Sequence, residues 1–113
     1  MKRALALCAA AIVCGGAGAQ YPPGYHRALA KSYAADDKWR ACLTQNAERY
    51  AATSGEGAEV TARAVIGICD PLARDTVKPL IPYGFAPAAM VAGLERDALD
   101  KLIGFIVELR TAH

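Results

Sequence analysis

Residues 39–69 read WRACLTQNAERYAATSGEGAEVTARAVIGIC, with two cysteines, Cys42 and Cys69, near the ends. On the first limb, Trp39, Leu43, Ala47 and Tyr50 recur at i, i+4, i+8 and i+11, which gathers them on one face of a helix. The pattern stops near Thr53-Ser54-Gly55, where two glycines flank Glu56. Thr53 and Glu56 also have the spacing of a capping box for the next helix. That second helix is expected from about Glu56 to Cys69, with Ala58, Ala62, Val65 and Cys69 on its apolar side. Val60, Ala64 and Ile68 form another stripe about half a turn away, so this helix is expected to sit sandwiched between neighbours.

Two helices joined by so short a turn form an antiparallel hairpin, and residues equidistant from the turn lie at the same height. The midpoint of Cys42 and Cys69 is position 55.5, inside the turn. The spacing therefore predicts a Cys42–Cys69 disulfide. Closing a loop of this length contributes roughly 3 to 4 kcal/mol in the chain-entropy model, a large share for a small domain.

A bond of that kind needs an oxidising compartment, and the N-terminus predicts one. Lys2 and Arg3 precede an apolar run from Ala4 to Val13, and Ala17-Gly18-Ala19 is a small-residue cleavage site. Ten apolar residues rise only about 15 Å in a helix, half of a hydrocarbon core. Residues 1–19 are thus expected to be a cleavable signal peptide, which removes Cys8 and Cys14 and leaves no membrane span. Residues 20–113 are expected to form a single small domain, located in the periplasm or secreted. Cleavage also takes two of the thirteen basic residues and none of the eleven acids, so the mature chain is formally neutral. An evenly mixed neutral surface argues against nucleic acid as a partner.

Outside the hairpin, Gln20 to Arg27 (QYPPGYHR) reads as an extended or turn-like leader, and the first helix is expected to begin around residues 32–37 with Asp36 as N-cap. Asp70-Pro71 reads as a corner, with Asp70 capping and Pro71 opening a short turn. Lys78 to Pro87 (KPLIPYGFAP) carries three prolines and reads as irregular. A last helix is predicted from Pro87 at its first position to Thr111, with Val91, Leu94, Ala98, Leu102, Phe105 and Leu109 on one face and Ile103, Ile106 and Val107 widening it. These elements imply an all-α fold class: a small helical bundle built on a disulfide-clamped antiparallel hairpin, plus a long C-terminal helix.

Chemistry is sparse. His26 and His113 have no His, Cys or carboxylate at metal-ligand spacing, and no haem or nucleotide motif occurs, so neither metal nor cofactor is expected. With both mature cysteines oxidised, no activated nucleophile stands out, and an enzyme is not expected. Asp36–Arg40, Glu59–Arg63 and Asp97–Lys101 have the i,i+4 order of solvated helix pairs. What remains is apolar surface. Leu80, Ile81, Tyr83 and Phe85 in the Pro-rich segment, and Ile103 and Val107 on the last helix, either complete the core or form a surface for a protein partner or a second copy. Phe85 is expected to behave as core.

Trp39-x-x-Cys42 near the start of an exported, one-disulfide helical domain resembles the periplasmic acid-stress chaperones of the HdeA type. The resemblance spans Trp39 to Cys69. The cysteine spacing is shorter than that family's, Asp70-Pro71 follows the second cysteine, and the family's Lys/Asp-rich tail is absent. It implies a holdase that opens at low pH. Size and helical character also resemble small disulfide-bonded periplasmic immunity proteins, which implies an inhibitor. The reading from the residues themselves is a non-enzymatic exported protein that works by binding another molecule.

Overall fold

Three helices, α1 (Tyr25–Thr53), α2 (Ala58–Val77) and α3 (Pro87–Thr111), with a 3₁₀ helix over Lys78–Tyr83 between the last two, make up the computed structural model, which describes residues 21–112. The signal peptide expected at 1–19, with Cys8 and Cys14, and His113 lie outside the described residues. The chain is all-α, and α1 and α2 form the expected hairpin. Cys42 and Cys69 are bonded across it, with Cα atoms 6.0 Å apart. The Asn46 amide donates to the Cys42 carbonyl at 2.8 Å and lies against both sulfurs.

α1 starts eleven residues before Asp36, which is a mid-helix residue paired with Arg40 rather than an N-cap. The expected extended leader is confined to the turn at Pro22-Pro23-Gly24. Ala28 and Ser32 explain the longer helix. They continue the Trp39–Leu43–Ala47 stripe towards the N-terminus and are buried with it, and Ser32 Oγ donates to the Thr76 carbonyl of α2 at 2.7 Å. Gly24 ends the turn at φ +85°, a conformation that favours glycine, and a Cβ there would stand 2.8 Å from the Tyr83 hydroxyl, which would have to shift.

α2 is likewise longer than expected and runs straight through Asp70-Pro71. Pro71 offers no N–H to the Gly67 carbonyl four residues back, but both residues are exposed, which leaves that carbonyl within reach of solvent. The buried stripe Ala62, Val65, Cys69 continues on the opposite side through Ala73, Thr76 and Val77. The capping box does not form: Thr53 Oγ1 donates to the Arg49 carbonyl, Ser54 Oγ accepts from the Glu56 N–H, and Gly57 caps α2. Nor is α2 sandwiched. Among the described residues it has two partner helices, and its outer stripe faces solvent, leaving Val60 54% and Ile68 48% exposed.

The Pro-rich segment is more regular than expected. It winds as a 3₁₀ helix, which the prolines at 79 and 82 permit, and Gly84 closes it at φ +91°. α3 begins with Pro87 at its first turn, as expected, and packs more extensively on α2 than on α1. Its buried line is Val91, Leu102 and Ile106, with Ile106 completely enclosed. The core they close contains Trp39, Leu43, Ala47, Ala62, Val65 and Cys69.

Candidate functional site

Because α3 leans towards α2, a cleft remains between α1 and α3. The α1 stripe supplies Trp39 and Leu43 to its floor, and α3 supplies Leu94, Ala98, Leu102 and Phe105 at helical spacing. Ala98 is the one small side chain in that α3 row. Arg40, Thr44, Asp97 and Lys101 make the rim, and the cleft, open to solvent, has a volume of about 330 Å³. That lies at the lower end of the range for small-molecule pockets, and the mix of an apolar floor with a few polar rim groups is their usual make-up.

The rim is electrostatically uneven. Arg40 is turned to Asp36, with Nε donating to Oδ2 at 2.6 Å. The expected Asp97–Lys101 pair does not close, whereas Glu59–Arg63 does, and Asp70–Arg74 and Asp75–Lys78 pair in addition. The Lys101 ammonium therefore stands at the mouth without an ion-pair partner among the described residues. Beneath it, Trp39 is 2% exposed, and its indole N–H is buried without a hydrogen-bond acceptor among the described residues. An unmet donor of this kind costs about 1–3 kcal/mol.

The six residues expected to form a partner surface do not come together. Leu80 is buried, Tyr83 and Phe85 are half-buried, and Ile81 is 44% exposed. Tyr83 folds back on the start of α1, its hydroxyl donating to the Pro23 carbonyl at 3.2 Å and its ring meeting Tyr25 edge-on. Phe85 lies outside the main core cluster. Ile103 packs against the core and Val107 is 45% exposed. Both sit on the C-terminal half of α3, sixteen to twenty residues from Pro87, or roughly 24–30 Å along the helix. The Pro-rich cap and the α3 pair are thus at opposite ends of the bundle.

On the other side of α3, Glu95 lies in a second groove with Ile66, Ala92 and Leu99, flanked by Arg63 and Arg96. Burial, followed by a hydrogen bond to Asp70 and that residue's negative charge, raises the Glu95 carboxyl to about 7, and Arg74 opposes the shift. Asp70 moves the other way, held below its ordinary value by the Arg74 hydrogen bond first and the Glu95 hydrogen bond second. Arg74 is raised in turn by Asp70. Sequence reading misses this pair because the Asp-Pro dipeptide points Asp70 to a helix cap.

Among the described residues no group of His, Cys, Asp and Glu is arranged to hold a metal ion, and no helix is long and apolar enough to cross a membrane. Compared with known proteins, the chain matches no family model, no curated protein and no solved structure.

Proposed function

We propose that this is an exported, non-enzymatic binding protein whose site is the cleft between α1 and α3, and that it takes a small amphipathic ligand with an apolar body and an anionic head. The observation that carries the reading is the cleft's composition: an apolar floor from two helices beneath a rim that Lys101 shares with Asp97, where Lys101 forms no ion pair among the described residues. The apolar body gains by leaving water, and the head gains at the mouth, where Lys101 remains solvated enough to receive it. Export and the disulfide suit a protein that meets its ligand outside the cytoplasm.

The test uses the anionic dye anilinonaphthalene sulfonate as ligand and Trp39, the sole tryptophan, as reporter. Saturable one-site binding to the folded protein is expected, with energy transfer from Trp39 to the dye. Ala98→Phe, which fills the cleft, should weaken binding at least tenfold while leaving the melting temperature at or above that of the wild type. Lys101→Glu should weaken it less, because the exposed charge is screened. Undiminished dye binding in a folded Ala98→Phe protein would remove the cleft from consideration.

A second reading rests on a separate observation, the solvent-facing Val60 and Ile68 on α2 with Ala64 between them. That stripe supports pairing with a second copy, and sedimentation velocity of wild type and Ile68→Lys would reveal it as a lost dimer.

A further inference from the structure

From residue 20 onward the chain is neutral as a whole, yet its charges are unevenly placed. None of the eleven acids lies in residues 20–35 or 79–94, and the second of these segments carries no charged residue at all. The fold brings both segments to one end of the bundle. α1 and α3 both begin there, and the 3₁₀ helix packs against the start of α1. Three tyrosines join across this end. The Tyr21 ring stacks on Tyr25 with centroids 5.1 Å apart, and Tyr25 meets Tyr83 at 5.4 Å.

The exposed surface of this end is apolar. Tyr21 is 55% and Ile81 44% exposed, with Pro22, Pro82, Pro87 and Ala88 exposed beside them. The charges around it are cations. Arg27 and Lys31 are exposed near the start of α1 and form no ion pair among the described residues. The acid nearest in the chain, Asp75, is paired with Lys78 at 2.8 Å. Neither α1 nor α3 has an acidic residue in its first turn, so their positive ends are not offset there. The turn end is different: Glu48, Glu56, Glu59 and Glu108 accompany Arg49, Arg63 and Arg110, and no basic excess arises.

We propose that this end is a docking tip for an anionic phospholipid bilayer, in which Tyr21 and Ile81 enter the boundary between headgroups and acyl chains while Arg27 and Lys31 meet lipid phosphates. Tyrosine rings and an isoleucine beside bases are the chemistry that such a boundary takes up. The course of the chain favours a bilayer over a protein partner. Tyr21 lies on the tip, two positions after the expected cleavage site at Ala17-Gly18-Ala19, so the tip is the part released last from the membrane on export. No described helix is long and apolar enough to cross the bilayer, so the docking is peripheral. Attraction through two exposed bases falls off within a Debye length, which makes it reversible and sensitive to salt. The cleft at Trp39 stands roughly 20 Å further along α1 and is not required for docking.

The experiment uses the disulfide-bonded chain starting at Gln20 and vesicles of phosphatidylcholine with about one third phosphatidylglycerol. The wild type should sediment with these vesicles at low ionic strength, and far less with phosphatidylcholine alone. Ile81→Asp should weaken binding at least about tenfold, and Arg27→Glu combined with Lys31→Glu by a similar factor. Both variants should keep the wild-type melting temperature, since all three side chains are exposed. Val107→Asp, at the opposite end, should bind as the wild type does. Ile81→Trp should add an emission that shifts to the blue with anionic vesicles, whereas the wild type, with only the buried Trp39, should show no shift. Failure of the wild type to sediment with anionic vesicles would overturn the proposal, as would equal weakening by Val107→Asp. A dimer that is lost in Ile81→Asp, without vesicle binding by the wild type, would assign the tip to a second copy and refute lipid docking.

Discussion

Arg110 closes the turn end of the bundle with one side chain. Its Nε donates to the Ala51 carbonyl at 3.2 Å, Nη1 to Glu56 O at 2.8 Å, and Nη2 to Ser54 O and Thr61 Oγ1 at 3.2 and 3.3 Å. It thereby joins the end of α1, the turn and the start of α2 to the last turn of α3. A planar guanidinium with five donors suits four divergent acceptors, and an ammonium does not. Arg110→Ala should cost about 2 kcal/mol in urea denaturation at an unchanged m-value, since water partly replaces the lost donors at this half-exposed site. Arg110→Lys should recover less than half of that. Nothing local marks Arg110: a basic residue in the last turn of a helix reads as a dipole partner, and its acceptors lie 49 to 59 positions away. Glu95 is equally hidden, because its shift depends on an aspartate from another helix.

α2 pits two local rules against each other. Proline disfavours helix at residue 71, while the buried period Ala62, Val65, Cys69, Ala73, Thr76 demands that the helix continue. Burial of that face outweighs the proline, whose cost is kept low because it falls on the solvent side. Pro71→Ala restores the bond to Gly67 and removes a ring clash together worth about 3 kcal/mol, against roughly 0.4–1 kcal/mol lost as the unfolded chain gains freedom. A net gain of about 2–2.5 kcal/mol is expected, visible as a higher melting temperature. The start of α1 escapes the sequence pattern for a related reason: Ala28 and Ser32 occupy the correct stripe, but small and polar side chains carry little weight in a hydrophobic period. By contrast, the end of α1 at Thr53 and the span of α3 from Pro87 to Thr111 are legible, since glycine and proline mark them directly.

For the domain as a unit, the Cys42–Cys69 bond spans a sequence separation of 27 and joins the two helices that form the most extensive contact. Replacing both cysteines with Ala should lower stability by about 3.5 kcal/mol in denaturant titrations, since the unfolded chain regains the loop entropy. The loss should fall mainly on the hairpin, so circular dichroism of the variant at 37 °C should show reduced helicity. An unchanged denaturation midpoint would mean that helix packing alone supports the fold.

Periodicity and turn chemistry suffice for the all-α class, the hairpin and the pairing of its cysteines, because each depends on residues within one limb or symmetric about one turn. The Thr53–Glu56 spacing, the Asp70-Pro71 corner and the outer stripe of α2 mislead from the same local information, since each outcome depends on what packs alongside. The cleft, the Arg110 closure and the Glu95–Asp70 pair arise only when α3 takes its place against the hairpin. Helical period tells which face of α3 is apolar. The side chains of all three helices, packed together, set how far that face leans towards α2, and the cleft is the space this lean leaves beside Trp39 and Leu43.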